Sequence, residues 1–345
     1  MGADITILTA GALTDRSRRA LPLLAGAAEL RKLGSVVRGP ASAPLARVWE
    51  LFGMPPPDTA DYPVAALEYL GRFGRPVAGW CICADLVHLR PESGGLSLVA
   101  GDSLGLGQAH GDALFGELEE HFSDRGWRWF GIRVTHAVLQ IPDAPQIRTH
   151  PPDTIAGADV DPHLPFGPDA KEWHRFMNEC QMRLHGCAIN DARERSGTPT
   201  VNSVWFWGGG RLPTAPQSRP WELVFTEDSL FQGLAAVAGT PSAPLPGNMD
   251  ALLERVSAGQ RALLVCCSLR SLLWMPDTEQ GGRALERLDE TWVAPAIRAL
   301  REGRLRVLTV SDPEYGDIVL TARGVRRWWR AWGWKPSRRI KTTKA

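Results

Sequence analysis

The residues best suited to chemistry are concentrated in one segment, Asn202-Ser203-Val204-Trp205-Phe206-Trp207-Gly208-Gly209-Gly210-Arg211-Leu212-Pro213. Three successive glycines allow positive φ and a close backbone approach to an anion, with successive N–H groups forming a nest. Arg211 would add a planar fork for a phosphate or carboxylate. The competing reading is a tight turn whose tryptophans belong to a core. The spacing is not that of a Walker loop, and Pro213, Pro216 and Pro220 bar an immediate helix.

Other constellations are weaker. Gly101-Asp102-Ser103-Leu104-Gly105 matches a Gly-x-Ser-x-Gly elbow, with His136, His150, His163, His174 and His185 downstream. An elbow must feed a helix at once; Gly105 and Gly107 weaken that helix, and no His-Gly-Gly-Gly motif lies upstream. Gly105, Gly107 and Gly111 miss the dinucleotide fingerprint. All eight histidines lie at or before position 185, so the second half has no imidazole for a two-metal phosphoryl-transfer site. His174, Cys180, His185 and Cys187 fit no common zinc-finger spacing. Cys81 and Cys83 share one face of a strand, which reads as a half-buried surface.

The elements that must position these residues alternate in period. Ile5 to Leu8 reads as a strand and Ser17 to Leu33 as a helix. A short helix at 61–70 precedes a buried strand at 77–84, with 96–100 as a partner strand. Residues 107–125 read as helix, and 127–130 and 137–141 as strands. The stretch 142–168 carries seven prolines and reads as a long ordered loop or subdomain boundary. Beyond it come a helix at 169–184, strands at 201–207 and 221–225, a helix from Asp228 and a strand at 261–267. A long helix at 279–300, kinked by Pro295, precedes strands at 305–310 and 317–321 and a last helix. The class is α/β.

At 345 residues and 44% hydrophobic, the chain can build one large elaborated domain or two unequal ones. A net charge of +1 excludes a global field for nucleic acid or membrane. Six cysteines, mostly in apolar runs, read as thiols of a reducing compartment. No basic leader and no apolar run of membrane-spanning length is present, so a cytoplasmic protein is expected. The C-terminus, Arg323 to Ala345, holds nine Lys or Arg, no acid, and Trp328, Trp329, Trp332 and Trp334. It reads as a docked terminal helix with a frayed basic end; contact with nucleic acid or a membrane surface is the alternative.

The 202–213 segment resembles the archaeal-type cofactor-independent phosphoglycerate mutases of the alkaline phosphatase superfamily, whose chains carry Asn-x-x-Trp-x-Trp-Gly-x-Gly followed by proline. Asn190-Asp191-Ala192-Arg193 with Gly197 resembles that family's lead-in, and Thr149-His150-Pro151-Pro152-Asp153 its Pro-Pro-His-Asp loop with the histidine displaced. The stretch from Thr226 to Ala235 falls where the family enters its next strand and helix. Residues 85–90 and 173–213 also resemble a bacterial group of RPFE-type regulatory proteins. The resemblance implies an alkaline-phosphatase-like three-layer α/β/α core formed by 1–75 and 166–345, with 76–165 as a smaller inserted subdomain.

Departures from the family shape the functional expectation. Its members begin with a strand ending in Asp-Gly-x-Gly-Asp, whose first Asp binds metal; here Leu8-Thr9 runs into Ala10-Gly11-Ala12-Leu13-Thr14-Asp15. Its late Asp-x-x-x-His metal segment is replaced by Val265-Cys266-Cys267-Ser268 and Trp274-Met275-Pro276-Asp277. The expectation is a regulatory or ligand-binding pseudoenzyme with no metal, no cofactor and no catalytic residue. Asn190, Arg193, Asn202, Trp205, Trp207, Gly208, Gly209, Gly210 and Arg211 would take a small phosphorylated or carboxylate ligand; a protein partner is a further expectation. Two alternatives stay open: an active isomerase or phosphotransferase with a rearranged metal set of Asp85, His88, His150, Asp153 and His174, and an adaptor working through the basic tail.

Overall fold

A computed structural model describes residues 2–10, 25–38, 43–57, 61–92, 95–155, 158–268, 279–313 and 316–325. Asp15, the segment from Trp274 to Asp277 and the tail beyond Val325 lie outside the described residues. The chain forms two compact units, one of 1–42, 245–266 and 276–345, the other of 43–244 and 267–275. The expected insertion 76–165 is thus part of a larger unit, because its strand at 80–92 pairs with the strand at 203–210 over residues 81–87.

The first unit is built on β1 (Ala3–Leu8), an almost wholly buried strand flanked by two parallel partners, β10 (Arg261–Val265) and β11 (Leu305–Asp312). Parallel strands need covered faces, and Ile5, Ile7, Leu8, Leu263, Leu264 and Leu308 supply the apolar run that such burial requires. On the far side of β11, β12 (Gly316–Thr321) and β2 (Ser35–Arg38) add antiparallel strands. Helix α1 (Ala25–Leu33) packs with α10 (Ala294–Glu302) and the turn before it. Pro295 does split the long C-terminal helix: α9 (Glu279–Leu288) passes through one π turn at Asp289–Val293 before α10 begins. A π turn is where such a helix accommodates proline. Here it delivers Asp289, whose carboxylate accepts from the Gly26 and Ala27 N–H groups at 2.9 and 2.7 Å and so caps α1.

The second unit holds a five-stranded antiparallel sheet. Strand β3 (Trp80–Glu92) is its centre: β6 (His136–Ile141) and β4 (Gly95–Ala100) share one edge, β7 (Ser203–Gly210) takes the other, and β5 (Arg128–Arg133) follows β6. Helices α2 (Pro44–Leu51), α3 (Val64–Phe73), α4 (Gln108–His121), α5 (Ala170–His185), α6 (Ala188–Arg195) and α7 (Ser229–Val237) belong to this unit, as do the short parallel strands β8 (Leu223–Phe225) and β9 (Ser242–Ala243). Short helix α8 (Met249–Leu253) belongs to the first unit, as does α11 (Ala322–Val325). Helices α3 and α7 press together at Gly71 and Gly233, where an added Cβ would overlap the carbonyl oxygens of Ser229 and Leu67.

The α/β expectation is met: the fold is mixed, with parallel strands and helices. Three local readings change. Strand β3 runs to Glu92, eight residues beyond the expected end, since β4 pairs with its second half. The elements β2, α2, α6, β9 and α8 were not expected; two to eight residues each offer too little periodicity to register. The Gly101–Leu104 segment is one 3₁₀ turn closed by Gly105 in the left-handed region, and the next helix starts at Gln108, so no strand–turn–helix elbow presents Ser103. Among the described residues no helix is long and apolar enough to cross a membrane.

Candidate functional site

The glycine-rich segment continues β7 as buried strand through Gly210. Cys81 pairs with Gly210 while Cys83 pairs with Trp207, so the strand carries an extra residue, a β-bulge, with Gly208 at φ 62° in the left-handed region. Gly209 lies against the Trp80 ring, and a Cβ on Gly210 would stand 2.5 Å from Pro63 Cβ. The Gly208 N–H donates to Thr149 Oγ1 at 3.1 Å. Packing and twist therefore account for the three glycines without an anion nest.

The neighbouring polar residues are bonded to the chain itself. Asn190 donates to the Leu184 and Val201 carbonyls, each at 2.7 Å, and accepts from Val201 N–H at 2.8 Å. The Arg193 guanidinium donates to the carbonyls of Pro199, Gly105 and Leu104. Asn202 mimics a strand partner, accepting from Leu89 N–H at 2.7 Å and donating to its carbonyl at 2.8 Å. Trp205 Nε1 donates to the His150 carbonyl at 2.8 Å. Arg211, just past the strand, is exposed.

Trp207 leads instead to a buried ionic cluster. Its Nε1 donates to Asp85 Oδ2 at 2.5 Å, while Asp85 Oδ1 faces His136 Nδ1 at 3.1 Å, without hydrogen-bond alignment. His136 Nε2 lies 2.5 Å from Glu68 Oε2, and Arg133 donates to Glu68 Oε1 at 3.0 Å. Ser229 Oγ stands 3.4 Å from the same Oε1, and Cys83 Sγ 3.8 Å from Oε2. Glu68 is fully buried and His136 is 2% exposed. A buried charge persists only when paired, and two carboxylates here face an imidazolium and a guanidinium. Burial alone would lower the His136 pKa, but Glu68 and then Asp85 hold it up at about 9. Burial alone would raise Glu68, but His136 and Arg133 hold it down at about 2. Burial, reinforced by Glu68 and Asp85, pushes the Cys83 thiol well up.

Of the expected polar set, only Asp85 belongs to this cluster. His88, three positions further along β3 and so on its opposite face, bonds the Thr200 carbonyl at 2.8 Å. His150 meets the His163 ring edge-on, stacks with Phe166 and bonds the His163 carbonyl at 3.2 Å; His174 bonds the Pro165 carbonyl at 2.8 Å. Asp153 is buried in the 3₁₀ turn Pro152–Ile155. Among the described residues, the one group of three side chains able to ligate a metal is Glu68, Cys83 and His136, whose ligand atoms all lie within 4.8 Å of one another. The sequence reading missed Glu68 and Arg133, and met His136 only among the histidines downstream of the Gly101–Gly105 motif. A signal existed: Glu68 is the one acid in the apolar run 63–70, and His136 opens an apolar strand. A cleft of about 400 Å³ lies elsewhere in this unit, walled by Trp127, Trp173, Phe176 and Pro145, with Arg125 and Glu172 among its polar residues.

No known family model matches the chain. Over 179 residues, 47% of this chain and 46% of the relative, it is 29% identical to a 2,3-bisphosphoglycerate-independent phosphoglycerate mutase of Methanothrix thermoacetophila. The chain is similar to cofactor-independent phosphoglycerate mutases. A probable 2,3-bisphosphoglycerate-independent phosphoglycerate mutase of Geobacter sulfurreducens is 22% identical over 245 residues, 66% of this chain and 61% of the relative. The matches to these mutases thus span about half to three fifths of the relatives' length. Among solved structures, the PH0037 protein of Pyrococcus horikoshii shares the fold, with a TM-score of 0.55 at 13% identity over 93% of this chain and 87% of that one. The cofactor-independent phosphoglycerate mutase of Thermoplasma acidophilum aligns over 93% and 90% at 16% identity, with a TM-score of 0.41.

Proposed function

We propose that this is a phosphoglycerate-mutase-like protein of the RPFE regulatory type that no longer performs two-metal phosphoryl transfer and acts by binding. The observation that carries the proposal is the distribution of imidazoles: all eight histidines fall between 88 and 185, and the unit with the parallel sheet, 1–42, 245–266 and 276–345, has none. Open sheets of this kind present their chemistry at the carboxyl ends of the strands. There β1 gives way to Thr9 and Ala10, and β10 to Cys266, while β11 ends on Ser311 and Asp312. Among the described residues, hydroxyls, a thiol and the carboxylates of Asp312 and of Asp317, which pairs with Ser311 from β12, lack the imidazoles of the mixed carboxylate and imidazole set that a phosphoryl-transferring metal pair needs.

Within the segment 202–211, where Asn202 is half-buried and 203–210 are buried, exposed Arg211 is the residue we assign to a small phosphorylated or carboxylate ligand. The test is conversion of 3-phosphoglycerate to 2-phosphoglycerate by the purified full chain supplied in turn with Mn²⁺, Co²⁺, Zn²⁺ and Mg²⁺. No turnover above buffer is expected, and metal-dependent turnover would overturn the proposal. Arg211→Ala is expected to weaken 3-phosphoglycerate binding in calorimetry.

A further inference from the structure

We infer that Glu68, Cys83 and His136 form a buried site for one thiophilic divalent cation of the Zn²⁺ or Co²⁺ kind, distinct from any phosphoryl-transfer centre. The ligand set, one thiolate, one imidazole and one carboxylate, is the mixed S/N/O donor set that such ions accept in tetrahedral sites. The two oxygens of Glu68 are already divided: Oε1 is held by Arg133 at 3.0 Å and approached by Ser229 at 3.4 Å, while Oε2 turns to His136 Nε2 and Cys83 Sγ at 2.5 and 3.8 Å. In a tetrahedral site with ordinary bond lengths, ligand atoms stand about 3.3–3.7 Å apart. The Glu68–Cys83 separation is near that value, and the Glu68–His136 separation must open by about 1 Å as a metal replaces the shared proton.

The surrounding shell is in place as well. A ligating histidine usually offers its other ring nitrogen to a carboxylate, which fixes the ring and raises its basicity. His136 Nδ1 faces Asp85 Oδ1 at 3.1 Å and has no aligned hydrogen bond, and Asp85 is itself anchored by Trp207. The fourth position is left for a water.

The exchange balances. Without metal the cluster holds two carboxylates, an imidazolium, a guanidinium and a neutral thiol. On binding M²⁺, His136 loses its Nε2 proton and Cys83 its thiol proton, both to the buffer. Net charge is unchanged, so burial places no charge penalty on the exchange, and no electron is transferred.

The experiment is a Co²⁺ titration of the reduced, chelator-treated full chain. One equivalent should bind with a thiolate-to-cobalt band in the near ultraviolet and intense visible tetrahedral bands, two protons should appear in weakly buffered solution, and Zn²⁺ should bleach both bands. Cys83→Ser should abolish the thiolate band, whereas Cys81→Ser and Cys266→Ser should keep it. Asp85→Asn, which leaves all three ligands in place, should weaken binding about 10–100-fold. The inference is overturned if the folded wild type takes up no Co²⁺, or if the thiolate band survives in a folded Cys83→Ser variant. Neither result bears on the regulatory reading, which stands or falls on turnover.

Discussion

Glu68 is a carboxylate without access to water, and its ionisation depends on two cations that reach it from β5 and β6. Removing one member of such a group strands the others, and breaking a buried pair costs about 3–5 kcal/mol. Glu68→Gln and His136→Gln should each lower unfolding stability by that order, and the double variant should fall well short of the sum, as urea titrations would show. The pH dependence follows from the same pair. With its folded pKa held up at about 9, His136 contributes fully below its unfolded value of 6.5, and that stability drains away as pH rises through 9. Glu68, held down at about 2, contributes fully above 4.5 and loses its contribution as pH falls toward 2. The two describe one interaction, at full strength between about pH 4.5 and 6.5. Thermal midpoints should therefore decline from pH 6.5 to 9 in the wild type, and the His136→Gln variant should show a flatter profile. The cluster escaped the sequence because its members are spread over 68 and 133–136 and meet only when α3 covers the sheet; nothing in local spacing announces that meeting.

Elements explain what was legible. Period and punctuation located most strands and helices, because a buried strand such as 261–265 and a proline-split helix such as 279–302 carry their signals locally. The glycines at 208–210 were a misleading local signal. They are demanded by neighbours far along the chain, Trp80 and Pro63, and glycine placed for closeness looks the same in sequence as glycine placed for a ligand. The helix pair α3 and α7 gives a direct test of closeness. Gly233→Ala inserts a methyl group against the Leu67 carbonyl and should cost about 1–3 kcal/mol. Gly116→Ala, inside α4 with nothing within 4 Å of the new carbon, should gain about 0.4–1 kcal/mol. Differential scanning calorimetry of the two variants should move the melting point in opposite directions.

The whole molecule has two centres of burial, and each rests on a strand laddered along both edges. In the second unit this is residues 81–87 of β3; in the first it is residues 5–8 of β1. Native-state hydrogen exchange should find the slowest amides in these two stretches, opening only with global unfolding of their units. Faster exchange there than in the half-exposed helix α4 would contradict the assignment. The connectivity of β1 also has a meaning in time. Asp4 pairs with Arg261 and Val307, so a ribosome must add roughly 250 residues, on the order of 10–50 s of synthesis at about 5–20 residues per second, before the first strand meets a neighbour. During that interval Ile5, Ile7 and Leu8 form a nascent hydrophobic edge with open backbone donors and acceptors, while the intervening unit emerges. Expression of this protein should therefore respond to the supply of nascent-chain chaperones, with soluble yield as the measurement, and polar replacement of Ile5 would trade solubility during translation against the finished sheet.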